Sequence, residues 1–150
     1  MDKHARILVV DDDETIRKTM KAILEDEGYR VDLAATGKEA IQKTEETVYN
    51  LALLDIKLPD MEGVELLKLL KDNVPRTRKV MVTGYPSMQN AIAALNKNAD
   101  AYLVKPVDVE KLLNTVREQL RLQQEERQFS EAKVAEFIES RVRELSTDHP

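Results

Sequence analysis

The chain has 150 residues, 42% of them apolar, which is enough for one domain of ordinary size with a buried core. Its formal net charge of -5 provides no overall basic field that would hold nucleic acid or an anionic membrane. The absence of Cys excludes a disulfide framework, a thiolate nucleophile and a Cys-ligated zinc site. No apolar run approaches the ~18 residues of a membrane span. We therefore expect a cytoplasmic protein that binds neither membranes nor nucleic acid directly.

Five short apolar runs alternate with longer segments of helical periodicity in residues 1–120. The runs are Ile7–Val10, Val31–Ala34, Leu51–Leu54, Val80–Val82 and Ala101–Val104. In the segments that follow them, apolar residues recur at intervals of three and four, as in an amphipathic helix. Five such β-α units predict an α/β fold with a doubly wound, five-stranded parallel sheet.

Residues that cap helices stand at the expected ends of these segments. Gly28 follows the first predicted helix, where a left-handed C-cap would end it. Thr36 and Glu39 have the spacing of a capping box at the start of the second. Ser87 and Asp108 are suited to begin the fourth and fifth predicted helices. These residues indicate element bounds and carry no functional information.

Polar side chains follow the predicted strands at their carboxyl ends, the edge at which open α/β sheets bind ligands. They are Asp11, Asp12 and Asp13 after the first strand, Asp55 after the third, Thr83 after the fourth and Lys105 after the fifth. Two carboxylates ~4 Å apart repel by about 4 kcal/mol at an effective dielectric of about 20, so such a cluster must take up protons or a cation. Oxygen ligands without His or Cys favour a hard ion, Mg2+ or Mn2+. We expect a divalent cation site with room for a phosphoryl group.

Four segments at these strand ends resemble the receiver domain of two-component response regulators, which has the CheY-like, flavodoxin-like fold. They are ILVVDDDE, LLDIKLPDMEG, VTGY and AYLVKP, which begin at residues 7, 53, 82 and 101. The resemblance covers about residues 5–120. It implies that a sensor histidine kinase or a phosphotransfer protein phosphorylates Asp55, and that the chain assists its own phosphorylation and dephosphorylation without being an enzyme for other substrates.

The resemblance also assigns the surroundings of the acceptor. Four groups would hold the metal ion: the carboxylates of Asp11, Asp12 and Asp55 and the backbone carbonyl of Lys57. Thr83 would bond one phosphoryl oxygen and Lys105 would pair with another. The chemistry requires such groups, because an anionic phosphoryl donor must approach a carboxylate and needs cations to offset the repulsion.

The same resemblance implies a conformational switch and residues that set the rate of dephosphorylation. Thr83 and Tyr102 would form a switch that changes a protein-interaction surface, although core packing is the other interpretation of Tyr102. Lys57 and Tyr85 would modulate dephosphorylation through access of the hydrolytic water. The peptide bond before Pro106 would be cis.

A second function class remains open at this point. Asp11-x-Asp13-x-Thr15 fits the D-x-D-x-T pattern of haloacid-dehalogenase-like phosphohydrolases, in which Asp11 would be the nucleophile. That hypothesis leaves Asp55 without a role, and no later strand carries a second acidic pair. Asp13 also fits an N-cap of the first helix.

Residues 121–150 are predicted to be a helical extension or linker outside the receiver part, residues 1–120. Residues 123–128 are polar on every face, which is consistent with a solvated continuation of the fifth helix or with a hinge, and we expect the hinge. An apolar stripe follows at helical spacing. It comprises Val134, Phe137, Ile138, Val142 and Leu145. The stripe could be covered by the receiver part, by an output domain, or by a second copy in a homodimer that uses the fifth helix and this extension, which we expect.

Overall fold

The computed structural model describes residues 5–70, 76–84 and 99–147. The elements in chain order are β1 (Arg6–Val10), α1 (Glu14–Asp26), β2 (Arg30–Ala34), α2 (Gly37–Glu46), β3 (Leu51–Asp55), α3 (Gly63–Leu69), β4 (Arg78–Thr83), β5 (Ala101–Val104) and a long C-terminal helix (Val109–Thr147). The predicted fourth helix, with its N-cap Ser87, lies outside the described residues. Every predicted strand is present.

All five strands are parallel and lie in the order β2-β1-β3-β4-β5. The predicted doubly wound fold is therefore confirmed. The order reverses between β1 and β3, and in such sheets the reversal opens a crevice at the carboxyl ends of the two strands. The residues that follow β1 and end β3 consequently lie at a ligand-binding edge.

Two apolar layers enclose the sheet, because successive strand residues point to opposite faces. Ile7 and Val9 belong to one layer, which α1 and the C-terminal helix cover. Leu8 and Val10 belong to the other, which α2 and α3 cover. Strands buried on both faces explain why the sequence shows continuous apolar runs in place of alternation.

The predicted caps hold the helix ends. Gly28 has a φ of 97°, which is the left-handed conformation expected after α1. The Thr36 hydroxyl accepts a hydrogen bond from the Glu39 N–H at 3.1 Å, and a Glu39 carboxylate oxygen accepts one from the Ala35 N–H at 3.0 Å. The capping box thus reaches back one residue further than its usual form. Asp13 is the N-cap of α1.

The C-terminal helix is continuous for 39 residues. The expected hinge at residues 123–128 is therefore wrong. Gln123, which the sequence suggested to be solvated, is 5% exposed and bonds to Asn50 and to the backbone of Arg76, so the helix packs on the sheet as far as this residue. Side chains 124–146 are all exposed. None of the described helices, this one included, is apolar enough over a sufficient length to cross a membrane.

Candidate functional site

A cluster of three carboxylates occupies the crevice between β1 and β3. Asp11 directly follows β1 and is 2% exposed, Asp55 is the last residue of β3 and is 7% exposed, and Asp12 faces solvent. One carboxylate oxygen from each lies within 4.8 Å of the others. The sequence-predicted carboxylates therefore meet at one place, with Asp12 at its open side.

Lys105 closes the cluster from the end of β5. Its Nζ lies 2.8 Å from Asp11 Oδ2 and 3.2 Å from Asp55 Oδ2. The backbone fixes its position, because the Lys105 N–H donates to the Thr83 carbonyl at 2.7 Å. The peptide bond between Lys105 and Pro106 is cis. One ammonium thus bridges two buried carboxylates.

The electrostatic balance of the cluster favours a cation. Burial, together with the negative charge of Asp11, raises the pKa of Asp55, and Lys105 only partly offsets this. Burial lowers the pKa of Lys105, but its bonds and charge interactions with Asp11 and Asp55 outweigh burial and raise it, so the ammonium stays charged. Three carboxylates and one ammonium leave two negative charges, which equals the charge that one divalent cation supplies.

The loop after β3 holds the Asp55 carboxylate in place. Asp55 Oδ1 accepts a hydrogen bond from the Lys57 N–H at 3.3 Å, while Oδ2 faces Lys105. The Gly63 N–H donates to the Ile56 carbonyl at 2.7 Å. A Cβ at Gly63 would lie 2.2 Å from the Asp55 carbonyl oxygen, so this close approach requires glycine.

The chain around Asp11 is oriented by two neighbours. The Asp13 N–H donates to Asp11 Oδ1 at 2.9 Å, and Arg17 Nη1 donates to the Asp11 carbonyl at 2.7 Å. Asp13 itself caps α1 through the Ile16 N–H and is not a member of the carboxylate cluster of the described residues. The sequence did not single out Arg17, because a hydrogen bond from a side chain to a backbone carbonyl six residues earlier leaves no pattern in the sequence.

The expected switch residues occupy neighbouring strands. Thr83 ends β4, is 1% exposed and pairs with Val104 of β5. Tyr102 lies on β5 and is 45% exposed, so the interpretation of Tyr102 as a core residue is wrong. The Lys57 side chain is exposed. Tyr85 lies outside the described residues.

The donor set fits a small hard cation. Mg2+ binds oxygen at about 2.1 Å, so two direct ligands lie at most about 4.2 Å apart. Carboxylates within 4.8 Å of one another therefore need at most a small adjustment or an intervening water. The fit is better in the register of Asp11 and Asp12 than in one that uses Asp13.

Comparison with known proteins identifies the architecture. The family model described as response regulator receiver domain matches residues 7–117. The chain belongs to this family. The match includes Asp11, Asp12, Asp55 and Lys105, and receiver domains generally bind Mg2+ at a cluster of Asp residues, for which the three carboxylates are a candidate here.

Three relatives show how far the likeness extends. The transcriptional regulatory protein ZraR of Klebsiella oxytoca is 42% identical over 114 residues, which are 76% of this chain and 26% of ZraR. A CheY-like receiver domain from Methanospirillum hungatei JF-1 is 51% identical with a TM-score of 0.75, over 82% of this chain and 98% of that one. The beryllofluoride-activated NtrC4 receiver domain dimer is 38% identical with a TM-score of 0.72, over 79% and 98%.

These matches bear on the two function classes. The receiver domain spans only about a quarter of the length of ZraR. The family model and the relatives described above are response regulators or their receiver domains, and none of them is a haloacid-dehalogenase-like hydrolase. The phosphohydrolase hypothesis is therefore not supported. The structure agrees, because Asp13, which that hypothesis needs in the site, caps a helix.

Proposed function

We propose that Asp55 accepts a phosphoryl group from a phosphohistidine of a sensor histidine kinase or phosphotransfer protein in the cytoplasm. The observation that carries this proposal is the position of Lys105, which bridges Asp11 and the acceptor inside a buried carboxylate cluster. In the transfer, a carboxylate oxygen of Asp55 attacks phosphorus, the phosphorus–nitrogen bond of the donor breaks, and the imidazole leaves with the bonding pair. The product is an acyl phosphate.

The residues around Asp55 divide the work of this transfer. Asp11, Asp12, Asp55 and the backbone carbonyl of Lys57 would hold Mg2+ or Mn2+. Such an ion would offset the charge of the incoming phosphoryl group. Lys105 Nζ already lies 3.2 Å from Asp55 Oδ2 and can pair with a phosphoryl oxygen as negative charge develops on it. Thr83 would donate a hydrogen bond to one of them.

An apolar recess beside the site offers a surface for the phosphoryl donor. It has a volume of about 200 Å3 and lies between α1 and the segment after β5. Ile16, Met20 and Ile23 line one wall, and Pro106 and Val107 line the other. Because Lys105 borders the same recess, a donor helix docked there would present its histidine next to the acceptor.

The proposal is tested by phosphorylation with acetyl phosphate. We expect one hydroxylamine-sensitive acyl phosphate per chain in the presence of Mg2+, none after EDTA, and none in Asp55→Ala. Asp26→Ala, which removes an exposed carboxylate at the far end of α1, is the matched control and should be phosphorylated normally. Phosphate retained by Asp55→Ala, or uptake that EDTA does not affect, would contradict the proposal. Turnover of a phosphomonoester that depends on Asp11 would instead favour the hydrolase.

The lifetime of the acyl phosphate is part of this proposal. Lys57 and Tyr85 are bulky and would restrict entry of the hydrolytic water, so self-dephosphorylation should be slow. The Lys57 backbone N–H donates to Asp55 Oδ1, which holds Lys57 beside the acceptor, and the Lys57 side chain is exposed. A variant with Lys57→Ala and Tyr85→Asn should lose phosphate faster; an unchanged decay rate would remove shielding as the explanation.

We also propose that phosphorylation acts through Thr83 and Tyr102. A hydrogen bond from Thr83 to the phosphoryl group would draw it toward Asp55, and the exposed Tyr102 could then turn inward. Such a switch works only through its differential interaction with the two states, for which a few kcal/mol suffice. Thr83→Ala should accept phosphate but leave NMR shifts on β5 unchanged when beryllofluoride is added. Shifts that are identical in the wild-type chain with and without beryllofluoride would refute the switch.

The extension, residues 121–150, is proposed as the surface for self-association. Its apolar stripe is not covered by the receiver part: Val134, Phe137, Ile138, Val142 and Leu145 are 55–65% exposed. One related receiver domain is a beryllofluoride-activated dimer; because 98% of that chain matches only 79% of this one, it supports self-association of an activated receiver domain and not the use of the extension. Light scattering with and without beryllofluoride, on the intact chain and on a chain cut after Leu120, should show a dimer only with the extension. A monomer in all four samples would refute self-association.

Binding of nucleic acid by this chain is not expected from its charge, and this stays a prediction. ZraR is named a transcriptional regulatory protein, and the receiver domain spans only part of its length. A DNA-binding partner or output domain is therefore compatible with the proposal, whereas direct contact through residues 1–150 is not part of it.

A further inference from the structure

The loop between β3 and α3 is fastened to α2 by one side chain. Asp60 Oδ1 accepts a hydrogen bond from the Gly37 N–H at 2.8 Å, and Asp60 Oδ2 accepts one from the Lys38 N–H at 3.0 Å. These are the first two residues of α2, whose N–H groups have no partner within the helix. Both Asp60 oxygens are therefore occupied by the adjacent helix.

Packing beside Asp60 reinforces this contact. The neighbouring Met61 lies against Gly37 so closely that a Cβ at Gly37 would come within 2.4 Å of the Met61 sulfur. Met61 is also packed against the apolar layer that α2 and α3 cover. The bonds from Gly37 and Lys38 hold the pKa of Asp60 below its usual value, so the carboxylate is charged at neutral pH, as is favourable at a helix N-terminus.

The same loop carries a backbone group that the proposed metal site needs. Lys57 and Glu62 form an isolated bridge across the loop, and the Leu58 N–H donates to the Met61 carbonyl at 3.1 Å. Asp60 lies at the tip of this closed loop. Its two bonds to α2 consequently fix the loop as a unit, including the Lys57 carbonyl.

We propose that Asp60 is a positioning residue for the metal site. Its bonds to α2 hold the loop after β3 in place and, with it, the Lys57 carbonyl. This inference rests on the proposed function, because it assumes that Lys57 contributes its carbonyl to a bound Mg2+. Asp60 would not be a ligand itself, because both of its carboxylate oxygens accept hydrogen bonds from α2. Partners that orient ligands from outside the coordination shell typically change metal affinity by 10- to 100-fold.

The test is Mg2+ binding by isothermal titration calorimetry on the intact, unphosphorylated chain. Asp60→Ala should raise the Mg2+ Kd by about 10-fold. Asp60→Asn keeps one acceptor for the α2 N–H groups and should lose less. Since Ala and Asn remove the same charge, a difference between them separates positioning from simple electrostatics. Asp26→Ala, an exposed charge removal away from the site, should stay within about twofold of wild type.

A second readout guards against a folding defect. Amide hydrogen exchange without metal should accelerate at Gly37, Lys38 and Leu58 in Asp60→Ala, while the β1 and β3 amides stay protected. If the wild-type chain binds no Mg2+, the proposed function fails and not only the role of Asp60. If the wild type binds and Asp60→Ala binds equally well, or if Ala and Asn raise the Kd by the same factor, the positioning role is refuted.

Discussion

Replacing Gln123 by Ala tests whether the long C-terminal helix is anchored to the sheet at this residue. Its Oε1 accepts from Asn50 Nδ2 at 3.1 Å, and its Nε2 donates to the carbonyls of Asn50 and Arg76, each at 2.8 Å. Asn50 in turn accepts from the Arg6 N–H at 2.8 Å, which ties the same contact to β1. One buried amide thus links the helix to the residues just before β3 and β4, and Asn50 extends this link to β1.

The expected cost follows from these bonds. Ala would remove one bond each from Asn50 Nδ2 and the Arg76 carbonyl, whereas the Asn50 carbonyl keeps the bond from the Arg78 N–H at 2.9 Å. A buried polar group without its partner costs about 1–3 kcal/mol. A cavity of about 120 Å3 bordered by Gln123 and Asn50 would let water replace part of the loss. The higher helix propensity of Ala offsets a further part of the loss. We therefore expect the free energy of unfolding to fall by about 2 kcal/mol.

The assay is urea unfolding followed by circular dichroism and tyrosine fluorescence, combined with amide hydrogen exchange. Gln128→Ala is the matched control, because it makes the same chemical change at an exposed position of the same helix. It should alter the free energy of unfolding by less than about 0.5 kcal/mol. Gln123→Ala should also speed exchange of amides just beyond residue 123. Equal stability of the two variants, with equal exchange, would refute the anchoring role.

Two further variants, the first with a control, probe the opposite ends of the sheet. Gly63→Ala should lower the free energy of unfolding by about 1–3 kcal/mol and slow phosphorylation, because its Cβ would lie 2.2 Å from the Asp55 carbonyl oxygen. Gly84→Ala should change stability little, because its Cβ would meet no atom of the described residues within 4 Å. Asp100→Asn should cost about 1–3 kcal/mol at pH 7 in urea unfolding. Burial alone would raise the pKa of Asp100, but hydrogen bonds and charges, chiefly from Arg76, lower it, so its stabilisation is present above the unfolded-state pKa and disappears as pH falls below about 4. A wild-type-to-Asn difference that stays constant from pH 7 to pH 3 would refute the second expectation.

The sequence predicted the fold because the three inner strands, β1, β3 and β4, are buried on both faces. A run such as Leu51–Leu54 must be apolar at every position, and this pattern depends only on neighbouring residues. The site was predictable for a related reason. Asp11, Asp55 and Lys105 each stand at the end of such a run, and a parallel sheet brings these ends together.

Contacts between residues far apart in the chain were not predictable in the same way. Gln123 bonds to Asn50 across 73 positions, and Asp60 bonds to Gly37 across 23. Both residues are polar, so composition assigns them to solvent. The expected hinge was wrong for this reason: Gln119 and Gln123 continue the helix face of Leu112 and Val116, and their burial depends on partners that the local pattern does not contain.

The helix that Gln123 anchors also determines where a partner of the apolar stripe must lie. Val116 is fully buried against the sheet, and Val134 follows it by 18 residues, which is five turns of 3.6 residues. Val134 therefore points to the same side of the helix as Val116, about 27 Å further along its axis. Because the helix is unbroken between them, the stripe faces the side on which the receiver body sits, beyond the amino-terminal edge of the sheet. The proposed partner on the stripe would consequently lie beyond the amino-terminal edge of the sheet, at the end opposite Asp55.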